Sequence, residues 1–206
     1  MAASPTDPLT VVLFHSAYGL RPAVEALADE LRAAGHEVVV PDLYEDRTAG
    51  TVEEAMAIRE EIGSDELLKR AVLAAAPHSD KGVVYAGLSL GGSIAQNLAL
   101  ADEKARGLLL FGGTSDLADD TVSAVEELPV QLHVADPDPF ETHDWLTAWY
   151  LRMQRADTDP EVFRYPGAGH LFLDTELPDY DAEAAEAATA RALAFLAELD
   201  TAAARG

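Results

Sequence analysis

The chain contains no cysteine. That absence removes disulfides, thiolate metal sites and a cysteine nucleophile together, so any covalent chemistry rests on oxygen or nitrogen. Lysine is almost as scarce, with three against eleven arginines, and these 14 basic residues face 37 acidic ones for a formal net charge of -23. A chain without a basic footprint is not built for nucleic acid or an anionic membrane surface, whose phosphates need Lys and Arg. No run approaches the ~18 apolar residues that span a bilayer, and Met1 to Pro8 lacks a basic segment leading into an apolar one. These absences predict a cytoplasmic, soluble protein that binds neither nucleic acid nor membrane, and they leave the substrate open. Neither G-x-G-x-x-G nor G-x-x-x-x-G-K-[ST] occurs, and no histidine stands in a ligand cluster, so neither a cofactor nor a metal is expected.

What is present is a sizeable apolar fraction, 49% of 206 residues, with no composition break; a single domain over 1–206 is expected. Thr10 to His15 is a β-branched apolar run too short for a helix, the pattern of a strand buried on both faces. Helical spacing follows over 21–34 with Gly35 as its stop, then a second strand from Glu37. The alternation continues with a loop over 42–51 and a helical stretch from Val52 to about Ala76, broken near Gly63, where Ser64 is the expected N-cap. Further strands are predicted over 82–88, 107–112, 129–134 and 161–165, and helices over 141–155 and 182–199. Within 141–155, Trp145, Trp149 and Met153 form a stripe read as core. Six strands alternating with helices predict an α/β three-layer sandwich around a mostly parallel sheet of at least six strands.

In such a sheet, chemistry collects where strands end at their carboxyl side. The third strand runs into Gly87-Leu88-Ser89-Leu90-Gly91, a G-x-S-x-G turn that holds a serine hydroxyl up at a sharp strand-to-helix bend. Serine is a weak nucleophile at neutral pH and needs an imidazole to take its proton, with a carboxylate to orient that imidazole. Ser89, then Asp136 or Asp138, then His170 stand after successive strands in the nucleophile-acid-histidine order of the α/β-hydrolase fold. An oxyanion needs preorganised N–H donors. The Leu90 N–H at the helix start is one candidate, and the loop after the first strand offers Ala17 or Tyr18 as the second. Tyr18, Tyr44, Phe140, Leu171 and Phe172 flank these loops and are pocket candidates. His15 is read as ordering the oxyanion loop, His133 as a strand residue in need of an internal partner, and His36, His78 and His143 as surface residues. The glycines around His170 favour an exposed placement for it.

Over nearly its whole length the chain resembles the dienelactone hydrolase family. The likeness is carried by Val11 to Leu20, Pro41-Asp42-Leu43-Tyr44, Gly87 to Gly92, His133 to Phe140, and Tyr165 to Phe172, in that order. The resemblance implies Asp138 as the acid and the Ala17 N–H as the second oxyanion donor. It also brings departures. The type enzymes carry cysteine where Ser89 stands, a glutamate where Ser16 stands, and a substrate-gripping arginine where Asp174 stands. A serine hydrolase acting on a small neutral ester or lactone is therefore expected in place of a dienelactone hydrolase, since Asp174 would repel a substrate carboxylate. The alternative from another class is a non-catalytic binding protein of the same fold, and acyl transfer to an acceptor other than water uses the same machinery.

Overall fold

Alternation along the strands decides the layering. In β1 (Thr10–Phe14) Val11 and Leu13 face one side of the sheet and Val12 and Phe14 the other, and both sets are fully buried. The same split runs through β3 (Val83–Leu88) and β4 (Gly107–Phe111), so an unbroken apolar run in sequence becomes a strand covered on both faces. The computed structural model describes residues 8–203, and the stretch before Pro8 lies outside the described residues. With β2 (Glu37–Val39), β5 (Leu128–Asp136) and β6 (Thr158–Pro166), the strands form one sheet of order β2-β1-β3-β4-β5-β6, every neighbouring pair parallel.

One face is closed by α1 (Pro22–Ala33) and α6 (Ala182–Ala203), which bury Val24, Leu27 and Leu31 and Ala188, Ala192 and Leu196. The other is closed by α3 (Ser64–Ala75), α4 (Leu90–Ala101) and α5 (His143–Arg155), through Leu67 and Ala71, Ile94 and Ala95, and Trp149 and Met153. Each fully buried Leu, Val or Phe contributes about 1.5–3 kcal/mol. The remaining helix, α2 (Val52–Ile62), buries only Ala55.

Two boundaries differ from the sequence reading for physical reasons. β6 begins at Thr158 and includes Pro160, which its place at the sheet edge tolerates because the missing N–H is not needed there. At the break between α2 and α3 the N-cap is Gly63, at φ +82°, and Ser64 is already helical with no side-chain cap bond. A left-handed turn between abutting helices selects the glycine over the serine.

Strand order reverses at β1, which has β2 on one side and β3 on the other. The crevice above the carboxyl ends of β1 and β3 is where a ligand finds room in a sheet of this kind.

Candidate active site

Ser89 leaves β3 at φ +50° and ψ -113°, and α4 starts at the next residue. A non-glycine residue in this region is strained, and the surroundings hold it there. Its N–H donates to the Phe111 carbonyl at 3.0 Å and its carbonyl accepts from Gly92 N–H at 2.8 Å. The bend requires bare backbone nearby: a Cβ on Gly91 would overlap the Phe14 carbonyl and stand 2.6 Å from that of His15. A Cβ on Gly113 would run into Ser89 itself.

Above the bend, His170 Nε2 lies 2.8 Å from Ser89 Oγ, and His170 Nδ1 lies 2.7 Å from Asp138 Oδ2. The three side chains, each from a loop after a different strand, form one hydrogen-bonded line. Asp138 Oδ1 accepts from the Phe140 and Glu141 N–H groups at 2.8 and 3.1 Å. Burial opposes ionisation of Asp138, but the His170 bond and these two backbone donors outweigh it and hold the carboxyl below its ordinary range. A carboxylate only accepts, so Nδ1 carries the ring proton and Nε2 of the neutral imidazole faces Ser89 as an acceptor. Asp136, the other aspartate of the pair, is directed elsewhere, with Oδ1 3.2 Å from His143 Nε2. His170 is 8% exposed, against the open placement its glycines suggested, because the Phe140 ring packs 4.7 Å from it, centroid to centroid.

The loop after β1 is held by His15, which donates from Nδ1 to the Ser16 carbonyl at 2.7 Å and accepts at Nε2 from Leu43 N–H at 3.0 Å. Burial lowers its pKa, consistent with a neutral ring in this role. The Tyr18 N–H is consumed by Ser16 Oγ at 3.2 Å. The Ala17 and Leu90 N–H groups have no acceptor among the described residues, and both residues line the cavity beside Ser89.

That cavity has a volume of about 570 Å³. Tyr18, Phe140 and Leu171 line it; Tyr44 and Phe172 do not. Tyr44 is fully buried, edge-on to His15, and desolvation pushes its hydroxyl pKa up to about 12. Phe172 packs against Tyr165 beneath the sheet loops. A loop position beside a strand end does not say which way a ring turns, and both rings turn into the core.

Other lining residues were missed. Trp145 packs against the core as Trp149 and Met153 of the same stripe do, but it also lines the cavity, with its Nε1–H on Thr114 Oγ1 at 2.6 Å. Glu141, Asp179 and Arg59 place charges on the lining, and Val52, Ala55 and Met56 of α2 form one wall. Val52 and Met56 are apolar residues of α2 that stay off the core, which Ala55, Ile58 and Ile62 of the same helix reach. Asp174 is corrected: it is 3% exposed, does not line the cavity, and binds the Arg21 guanidinium through both oxygens at 2.7 and 3.4 Å. His36 is also corrected, its side chain 6% exposed with Nδ1 3.9 Å from Asp200. His133 has the partners it needed, Tyr165 Oη at 2.8 Å and Gln131 Oε1 at 2.9 Å, and burial, aided by Arg191, lowers its pKa to about 3.

A model of the dienelactone hydrolase family matches residues 1–199. The chain belongs to that family. As a dienelactone hydrolase family member it is a hydrolase of carboxylic esters. Among curated proteins no match was found. Among solved structures, a dienelactone hydrolase-like promiscuous phosphotriesterase from metagenomic libraries is similar over 95% of this chain and 88% of its own, with a TM-score of 0.78 and 20% identity. The dienelactone hydrolase of Anabaena variabilis is similar over 94% and 88%, with a TM-score of 0.67 and 23% identity. Esterase 2 of Thermogutta terrifontis, solved phosphonylated by sarin, is similar over 95% and 86%, with a TM-score of 0.69 and 15% identity. At these identities the likeness establishes the α/β-hydrolase architecture. No described helix is long and apolar enough to cross a membrane.

Proposed function

We propose that this family member cleaves a small carboxylic ester or lactone through an acyl-enzyme on Ser89. The observation that carries the proposal is the unbroken line Ser89 Oγ to His170 Nε2 to Asp138 Oδ2, with steps of 2.8 and 2.7 Å. Ser89 Oγ attacks the carbonyl carbon while His170 Nε2 takes its proton, and Asp138 keeps Nδ1 protonated and stabilises the cation that forms. The Leu90 and Ala17 N–H groups receive the developing oxyanion, which is the use their unpaired donors suit. His170 then returns its proton to the leaving alkoxide. In the second half a water attacks the acyl carbon with His170 again as base, and Ser89 leaves as alcohol.

The hydrogen-bond contact between imidazole and hydroxyl favours catalysis over a purely binding role, which would not need it. The cavity walls are mainly apolar, with Tyr18, Leu90, Phe140 and Leu171 around the nucleophile, as a small organic ester requires. Asp174 does not decide the charge of the substrate, because Arg21 neutralises it outside the cavity.

A fluorophosphonate probe followed by peptide mapping tests the proposal. Esterase 2 of Thermogutta terrifontis was solved with a phosphonyl group from sarin, and the same class of adduct is expected here on Ser89. Folded protein that takes no label, or a Ser89→Ala variant that still hydrolyses p-nitrophenyl butyrate, would overturn it.

A further inference from the structure

The cavity over Ser89 contains a charge that the protein leaves unanswered. Glu141 is 5% exposed and lines the cavity. Its Oε1 accepts from Thr114 N–H at 2.7 Å and its Oε2 from the Thr114 hydroxyl at 2.6 Å. The Thr114 hydroxyl in turn accepts from Trp145 Nε1–H. The directions of these bonds suit a carboxylate, since both Thr114 hydrogens point at it and the indole takes the lone pair that remains. All three donors are neutral, and Glu141 makes no ion pair among the described residues. A buried carboxylate without a counter-charge is expensive to keep. With two of about four acceptor sites in use, it retains room for another donor.

We infer that Glu141 determines specificity, and that the substrate carries a cationic, ammonium-type group which Glu141 receives in the cavity. The inference rests on the ester-hydrolase reading of the same site. Two features support it beyond the carboxylate itself. Trp145, whose polar edge is spent on Thr114, lines the cavity, and Phe140, packed beside His170, lines it too and is 64% exposed. Aromatic faces next to an acidic group are what quaternary and primary ammonium ions bind. Both loops that build this site are also tied down, the one after β5 by the Glu141 N–H on Asp138 Oδ1 and the one after β4 by Ser93 Oγ on the Gly113 carbonyl at 2.9 Å.

Two further charges line the cavity and both bear on the test. Asp179 has the same sign and accepts from Leu171 N–H at 3.2 Å. Arg59, from α2, has the opposite sign and no ion pair to Glu141, so it opposes a cation in the cavity.

The experiment compares kcat/KM for three p-nitrophenyl esters of matched length whose acyl chains end in methyl, trimethylammonium or carboxylate, with a parallel set bearing the charge on the alcohol half. In one of the two sets the wild type is expected to prefer the cation over the carboxylate. That ratio is expected to fall about tenfold or more in Glu141→Gln, since a contact between unit charges is stronger in a partly desolvated site than in bulk water, and to rise in Arg59→Gln. The neutral ester is the reference in every protein. A wild type that prefers the carboxylate in both sets, or is indifferent, overturns the inference, as does a ratio unchanged in Glu141→Gln. If Glu141→Gln does not fold, the wild-type ratio decides alone, and it must shrink with added salt. Failure to hydrolyse even the neutral ester counts against the hydrolase reading and not this one. Quenching of tryptophan fluorescence by butyltrimethylammonium then decides the inference, with saturable quenching supporting it and none refuting it.

Discussion

Replacing Asp138 with asparagine exchanges one oxygen for an amide nitrogen and adds no bulk, yet the geometry predicts a near-total loss of turnover. The carboxylate performs two tasks: Oδ1 accepts from the Phe140 and Glu141 N–H groups, and Oδ2 accepts from His170 Nδ1. Asparagine has one acceptor oxygen for both. If that oxygen turns to His170, two buried backbone donors face an NH₂, each at a cost of about 1–3 kcal/mol. The amide therefore settles the other way, with its NH₂ toward Nδ1. The imidazole must then accept at Nδ1 and carry its proton on Nε2, which meets Ser89 Oγ as a donor where an acceptor is needed. The expected loss in kcat is roughly 10⁴-fold, the scale found when the same exchange inverts the histidine tautomer of a serine protease. KM for p-nitrophenyl butyrate and the melting temperature should change little. Stopped-flow release of p-nitrophenol measures acylation, and ¹⁵N shifts of His170 report the tautomer. An Asp138→Asn protein that folds and keeps its rate within about tenfold of wild type would refute the reasoning. So would a large effect of Asp136→Asn, whose carboxylate reaches the exposed His143 and not His170.

Three other outcomes are expected. Gly91→Ala places a Cβ against the carbonyls of Phe14 and His15, so stability in urea should fall by about 1–3 kcal/mol and labelling of Ser89 should slow; an unchanged denaturation midpoint would refute the contact. His133 titrates ordinarily at 6.5 when unfolded but refuses a proton in the fold down to about pH 3. The unfolded chain binds more protons between those values, so this contribution to stability is whole above pH 6.5 and is lost as pH falls toward 3, at up to about 1.4 kcal/mol per pH unit. His133→Gln should flatten the fall of melting temperature over that window, and an unaltered slope in calorimetry would contradict it. Asp174→Asn should cost stability, about 1–3 kcal/mol and less than a fully orphaned buried charge, because Glu176 remains 3.2 Å from Arg21. It should bring no gain in the turnover of carboxylate-bearing esters; such a gain would place Asp174 in the cavity after all.

Much of the architecture was legible because its signals are local. A β-branched run of five residues, a glycine after a helix and a G-x-S-x-G turn each report on their own neighbourhood, and β1, α1 and the bend at Ser89 stand where those signals put them. What was not legible depends on partners far along the chain or on the direction of a side chain. Asp174 reads as a free acid until Arg21, 153 residues earlier, is folded onto it. Tyr44 and Phe172 flank the right loops and turn inward, whereas Trp145, one helical turn from the core residue Trp149, reaches the cavity as well as the core. Periodicity names a stripe but not its edge. Glu141 carried no motif at all, since nothing in Asp138-Pro139-Phe140-Glu141 announces that its side chain will bond Thr114 from another loop.

The slight anchoring of α2 has an evolutionary consequence. This helix furnishes Val52, Ala55, Met56 and Arg59 to the cavity wall, while it meets the core only through buried Ala55 and half-buried Ile58 and Ile62. Substitutions at Val52, Met56 and Arg59, which line the cavity without packing on the core, would therefore alter what the enzyme accepts without weakening the sheet or disturbing the loops that bear Ser89, Asp138 and His170. Selection, natural or in the laboratory, can explore new substrates along this one helix at little risk to folding, and a library confined to positions 52, 56 and 59 is where altered preference should be cheapest to find.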